Sequence, residues 1–325
     1  MSTTRSTSYW VARPQFGELR ESELVERTPN QSRLVTEYTG VSVGTERLVG
    51  GGRVPASCMT PMACRYMEGD LRLPVKYGYS LVGRGVEGSL AGETVFVMHP
   101  HQDHVVVADE HATVLPPSLP ARRGVLIPNL ETALNATWDA RLEPGTAALV
   151  VGGGAVGLLV AYVLSRTTGT PVALVEVDEA RARLAERLPW IERVHDATDE
   201  LPEVDVAFHT SGNGRGLQCA LDAVGFEGRV LELSWYGTDH VTLELGTEFH
   251  YQRKTIQASQ VSTIAQSHRK THDYAERLGE VVGLLDEPAL DLLLGPPVEF
   301  SDMPLWMGDL YRGAPVAPLP LIAYL

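Results

Sequence analysis

The chain is predicted to fold as an α/β protein in two parts, a β-rich part followed by a doubly wound parallel sheet. Three observations predict this. Its 325 residues exceed what a single hydrophobic core usually organises. Up to about residue 120, short β-branched runs are broken by Gly and Pro at close intervals, the texture of an all-β module. Beyond that point apolar strand-like runs alternate with helical stretches, as parallel strands joined by crossover helices require.

The elements follow in order. SRLVTEYTGVSV, YSLVGRGV, ETVFVM and DHVVVA read as strands, and Val105, Val106 and Val107 as a buried one. Near residue 120 the texture changes, and ARRGVLIPNLETALNATWDARL carries apolar residues at helical spacing. TAALVVG is then a strand, AVGLLVAYVLSRT a helix, PVALVEV a strand and EARARLAERL a helix. VDVAFHTSG and GRVLELSW are strands around the helix GLQCALDAV, and TIQASQV is the last strand. A helix from about Thr271 to Leu285 precedes a Pro-rich, apolar end.

Composition removes several classes of function. A formal net charge of −14 opposes nucleic acid as a partner, since phosphate binding needs clustered Lys and Arg. No apolar run approaches the length of a membrane span. The opening MSTTRSTSYW lacks the apolar segment of a secretory signal. Three cysteines, Cys58, Cys64 and Cys219, form no CxxC pair and suggest neither a disulfide framework nor a cysteine zinc site. A reducing cytoplasm is the expected compartment.

VVGGGAVG holds the spacing Gly152-x-Gly154-x-x-Gly157. It follows an apolar strand, opens a helix at Ala155 and Val156, and precedes an acid, Glu176, at the end of the second strand. In a Rossmann unit Gly152 permits the tight turn, Gly154 lets the backbone approach a pyrophosphate, and Gly157 lets helix and strand pack closely. The helix N-terminus then faces the negative charge. Glu176 is expected to accept hydrogen bonds from the adenosine ribose. A 2′-phosphate there would meet a carboxylate, so NAD(H) is expected rather than NADP(H). Arg181 either touches this ribose or adenine or is a solvated helix residue. Ser211, Ser234 and Trp235 end the fourth and fifth strands, where ligands of open parallel sheets sit; for Trp235 plain packing is an equal reading.

The order of these parts resembles the medium-chain dehydrogenase/reductase superfamily over nearly the whole chain. Besides VVGGGAVG, the likeness rests on YTGVSVGTE, KYGYSLVGRGVEG, AGETVFV, DHVVVADEHATVLP and LETALNAT. The resemblance implies a GroES-like β-barrel catalytic domain, formed by residues 1–129 and a return segment 261–325, and a Rossmann domain over 130–260. It implies a cleft between them as the active site. It also implies a homodimer, with the edge strand near Thr255 to Val261 pairing across a two-fold axis. Zinc-dependent members carry a Cys where this chain has Ser42, and Gly-His-Glu where it has Gly78-Tyr79-Ser80. Their third ligand falls near Pro128 or Asn129, and HPHQDH spans the place of their structural zinc lobe. The chain therefore resembles a zinc-independent branch, in wording nearest to members similar to bacteriochlorophyllide a dehydrogenase.

Without a metal, the substrate oxygen needs a hydrogen-bond donor that also exchanges a proton. Tyr79 either presents its hydroxyl to substrate or is a buried phenol bonded to backbone. Thr45 resembles the proton-relaying hydroxyl of zinc members. Glu46 is a base, an orienting acid or half of an ion pair. His99, His101, Asp103 and His104 invite a metal reading, though a polar loop with chance histidines is the commoner one, and His101 is a second candidate donor. Lys76 and Glu131 carry little weight. The expected activity is an NAD(H)-dependent interconversion of a secondary alcohol and a ketone, on a small-molecule substrate and without bound metal. Two alternatives stay open: a reductase of activated double bonds, and a dinucleotide-binding protein without catalysis.

Overall fold

A computed structural model describes residues 5–169 and 171–324. They form two compact units: one runs to Pro128 and resumes at Leu285, and the other spans Asn129–Leu284. The second unit thus extends past residue 260, because the helix Tyr274–Leu284 packs with it.

The first unit begins with β1 (Arg5–Arg13), β2 (Phe16–Glu23) and β3 (Gln31–Gly40). β3 alternates buried and half-buried positions, as a strand with one face on the core does. The chain then turns into α1 (Val43–Gly50), so the apolar run read as a strand through Val43 stops three residues earlier. Glu46 in its first turn and Arg47 in its last suit the helix dipole. Next come β4 (Glu68–Gly69), β5 (Val75–Lys76), β6 (Leu81–Glu87), β7 (Thr94–Val97), β8 (His104–Ala108) and β9 (Ala112–Val114). Val105, Val106 and Val107 are all buried in β8.

In the second unit α2 (Ile127–Ala140) leads into β10 (Ala148–Val151), α3 (Ala155–Thr168), β11 (Val172–Val175), α4 (Glu179–Ala185) and β12 (Ile191–His195). β13 (Val204–His209), α5 (Gly214–Ala223), β14 (Val224–Glu232), α6 (Glu248–Tyr251), β15 (Thr255–Ala258) and α7 (Tyr274–Leu284) complete it. The sheet order is β12-β11-β10-β13-β14-β15, with every neighbouring pair parallel. This is a doubly wound Rossmann sheet whose order reverses at β10. β12 was not anticipated: it is a polar, half-exposed edge strand with little apolar signal. Among its core residues are Leu149, Val151, Ala207, Leu217 and Val230.

The chain closes with β16 (Leu294–Glu299), α8 (Met303–Tyr311) and β17 (Leu319–Ala323). β17 pairs with β3, completing the order β16-β17-β3-β6-β7-β9 with β8 also on β3. β2-β1-β5-β4 is a second, antiparallel sheet. The first unit is consistent with the expected GroES-like domain. Among the described residues, no helix is long and apolar enough to cross a membrane.

Candidate active site

In the first unit, α1 and the loop before β6 bring three hydroxyls together. The Tyr79 phenol makes side-chain hydrogen bonds with Ser42 and Thr45. Burial pushes this phenol above its ordinary value, and the Glu46 charge adds to the effect, so the hydroxyl is protonated at neutral pH. The two hydrogen bonds oppose the shift without reversing it. Ser80, by contrast, turns away and donates to the Val125 carbonyl at 2.8 Å.

Beneath the hydroxyls lies a buried polar chain. Glu46 is 3% exposed and His101 1% exposed. Glu46 Oε1 accepts the Ser42 N–H at 2.9 Å, while Oε2 lies 3.1 Å from His101 Nε2. His101 Nδ1 lies 2.6 Å from Thr39 Oγ1, which is 3.1 Å from the Tyr324 hydroxyl. A carboxylate only accepts, so Nε2 carries the proton shared with Glu46. Both ring nitrogens of His101 are thus engaged within the fold.

His99 is also buried, and its Nδ1 donates to the Pro100 carbonyl at 2.9 Å. Burial pulls its pKa down to about 3. HPHQDH is thus not a solvated loop: two of its three histidines are core residues. Lys76 is buried and bonded to Glu68 and to Gln102. Glu131, in the second unit, pairs with Arg277 at 3.2 Å. Among the described residues, no group of three or more His, Cys, Asp or Glu side chains is placed to hold a metal ion.

In the second unit the glycine turn is tight. Gly152 has φ +112°, and a Cβ there would come within 2.7 Å of the Ser211 nitrogen. A Cβ on Gly157 would stand 1.9 Å from the Gly152 carbonyl oxygen, so helix and turn touch with no room for a side chain. Gly154 faces open space and, with Ala155 and Val156, forms the start of α3. Glu176 is buried and its carboxylate reaches under the turn. Oε2 accepts the Gly153 N–H at 2.7 Å, and Oε1 accepts those of Val177 and Asp178 at 2.8 Å. With about four acceptor positions on a carboxylate, roughly one remains for a ribose hydroxyl. Arg181 is half-buried in the first turn of α4, where Asp178 caps its N–H.

Ser211, Ser234 and Trp235 lie just beyond β13 and β14, as expected, and Trp235 is half-buried. Sequence reading missed what joins them. His209, wholly buried, lies 2.7 Å from Ser211 Oγ and 2.8 Å from Glu232, and the Tyr236 hydroxyl donates to Glu232 at 3.0 Å. The available signal was a histidine and a glutamate, each in an otherwise apolar strand.

No family model matches the chain. In sequence it is 31% identical over 193 residues to an L-idonate 5-dehydrogenase of Vitis vinifera, covering 57% of this chain and 48% of that protein. Other partial matches include an (R,R)-butanediol dehydrogenase and a sorbitol dehydrogenase. The chain spans about half or less of the length of the curated relatives it matches. In structure it is similar to L-idonate 5-dehydrogenase of Escherichia coli, with TM-score 0.80 and 12% identity over 99% of both chains. It is also similar to a dehydrogenase of Sinorhizobium meliloti bound to NADP, with TM-score 0.76 and 18% identity over 98% of this chain and 99% of that one. The fold is that of these solved dehydrogenase structures, and the partial sequence matches are to alcohol and polyol dehydrogenases.

Proposed function

We propose that the chain is an NAD(H)-dependent oxidoreductase that interconverts a secondary alcohol and a ketone without a catalytic zinc. The matched relatives are alcohol and polyol dehydrogenases, which supports an oxidoreductase acting on alcohols. Similar solved structures hold NADP in one case and NADH in another, which supports a nicotinamide dinucleotide. The preference for NAD(H) rests on Glu176, whose carboxylate would repel a ribose 2′-phosphate.

The observation that carries the reading is the hydroxyl cluster of Ser42, Thr45 and Tyr79. It stands where the resemblance places two zinc ligands, and neither a serine nor a protonated phenol is an ordinary ligand for zinc. Bound at the glycine turn, the dinucleotide supplies or accepts hydride. Tyr79, held protonated, donates a hydrogen bond to the substrate oxygen and passes its proton as negative charge develops there. The phenol regains a proton from solvent by relay through the half-buried Ser42 and Thr45 hydroxyls, each taking up one proton as it gives one. Glu46 and His101 hold the Ser42 backbone and α1 in place; with both its nitrogens engaged, His101 acts by positioning and does not touch substrate.

The test is kinetic. Tyr79→Phe is expected to lower kcat at least a hundredfold on a panel of polyols and ketones while NADH affinity stays within threefold. Unchanged turnover removes Tyr79 from the mechanism. Titration with NADH and NADPH checks the ribose argument, and a preference for NADPH would sink it. One zinc per chain in the purified active protein, with activity lost on chelation, would overturn the metal-free reading. We further propose a cytoplasmic homodimer: Cys58, Cys64 and Cys219 are all free, and β15 is a sheet edge able to pair with a second copy. Light scattering on the purified chain reads the mass of the assembly.

A further inference from the structure

A cleft of about 130 Å³ opens in the first unit, lined by Tyr38, Arg122, Asp291, Leu294, Pro297 and Leu321. None of Ser42, Thr45, Glu46, Tyr79 or His101 lines it. Its floor is one face of a sheet. Pro297 on β16 is the register partner of Leu321 on β17, and Tyr38 on β3 is the partner of Ala323, two residues further along β17. Side chains two apart on a strand share a face, so Pro297, Leu321 and Tyr38 point the same way. The remaining wall comes from two short 3₁₀ turns: Ala121–Leu126 carries Arg122, and Pro288–Leu293 carries Asp291.

The charges of this wall form an alternating row. Arg123, buried, grips Asp291 with two bonds, Nε to Oδ1 at 2.8 Å and Nη2 to Oδ2 at 3.0 Å. Arg122 adds a third, from Nη2 to Oδ2 at 2.7 Å. Held by both guanidiniums, the Asp291 carboxyl falls to about 2 and is ionised at neutral pH. Glu287 also bears on Arg123, whereas the groups that bear on Arg122 are Asp291 and Tyr38. The row therefore ends on a cation, the half-exposed Arg122. Among the described residues its Nε and Nη1 have no hydrogen-bond partner, and neither has the Tyr38 hydroxyl. Two unspent donors thus stand at the edge of an apolar floor.

We propose that this cleft binds a small monocarboxylate with a short apolar tail. One carboxylate oxygen accepts an N–H of Arg122 and the other the Tyr38 hydroxyl, so the row Arg123, Asp291, Arg122 ends on an anion. The tail lies on Leu294, Pro297 and Leu321. A cavity of about 150 Å³ admits a benzene ring, which limits the tail to roughly six heavy atoms. Inorganic phosphate has no apolar surface to lay on this floor. A neutral ligand forgoes the charge-assisted hydrogen bond, which is about twice as strong as a neutral one.

Calorimetry on the purified chain tests this with benzoate, with benzamide as its neutral counterpart and inorganic phosphate as an anion without a tail. Benzoate is expected to bind saturably, and benzamide and phosphate at least tenfold more weakly. Arg122→Gln is expected to weaken benzoate about tenfold and Tyr38→Phe about threefold. Arg122→Gln leaves Asp291 on Arg123, so the unit stays folded, which circular dichroism checks. No benzoate binding to the wild type, equal binding of benzamide or phosphate, or unchanged benzoate affinity in Arg122→Gln each overturns the proposal. Benzoate lost in Tyr79→Phe but kept in Arg122→Gln would place it in the candidate active site and overturn the proposal as well.

Discussion

Replacing Glu46 with Ala tests the buried polar chain of the first unit at its centre. The substitution strips two donors of their acceptor, the Ser42 N–H and the His101 Nε2–H. At 3% and 1% exposure neither Glu46 nor His101 has water to turn to. A buried donor without a partner costs about 1–3 kcal/mol, and breaking a buried pair from one side about 3–5 kcal/mol. The expected loss is therefore about 4 kcal/mol, which for a unit of this size lowers Tm by roughly 8–16 °C. Glu46→Gln keeps an acceptor for the Ser42 N–H and is expected to lose about half as much. The double variant Glu46→Leu, His101→Leu removes both partners together and is expected to be more stable than the two single losses added. Thermal unfolding followed by circular dichroism reads all of these. A Tm within 2 °C of wild type for Glu46→Ala, or strict additivity in the double variant, would refute the reasoning.

Three further outcomes are expected. Gly157→Ala drives a methyl to 1.9 Å from the Gly152 carbonyl, so helix and turn must separate; overpacking of this kind costs about 1–3 kcal/mol, and NADH titration should show binding lost before the fold is. His99 is held neutral down to about pH 3, whereas an unfolded histidine takes its proton near 6.5. Stability is therefore expected to fall as pH drops below about 6.5, by up to about 1.4 kcal/mol per unit from this residue, and His99→Asn, which keeps a donor for Pro100, should flatten that slope in urea unfolding. Arg123 and Arg122 hold the Asp291 carboxyl down to about 2. Its contribution is present above the ordinary carboxylate value near 4 and is lost as pH falls through 2, so Asp291→Asn should cost about 1 kcal/mol at neutral pH, after allowing for solvent screening, and progressively less as the acid limit is approached.

Local rules carried much of the fold. Alternating apolar runs and the glycine spacing place β10, α3 and β11, because strand period, helix period and a positive-φ glycine are short-range properties. The edge strand β12 escaped, since an edge need not be apolar. The positions of the motif glycines, Glu176 and the two serines at strand ends were readable along the sequence. His209 and Glu232 were not, because they are 23 residues apart and meet only through the register of two parallel strands. The clustering of Ser42 and Thr45 with Tyr79 likewise depends on α1 standing beside the loop before β6, which residue spacing does not encode. His101 looked like a loop donor from its neighbours; its partners Thr39 and Glu46 lie 62 and 55 residues away.

On the proposed reading, Glu176 does two jobs with one carboxylate. The oxygen that would select a free ribose hydroxyl belongs to the same group that grips the Gly153 N–H under the phosphate turn. Selectivity and shape would thus be coupled through one side chain. Exchanging Glu176 for a cationic residue, the obvious step toward a phosphorylated cofactor, would also release the turn that every dinucleotide must use. A change of cofactor, by evolution or by an engineer, therefore has to pass through a second substitution that ties the turn down again, and single-residue libraries at this position would return weakened binders of both cofactors.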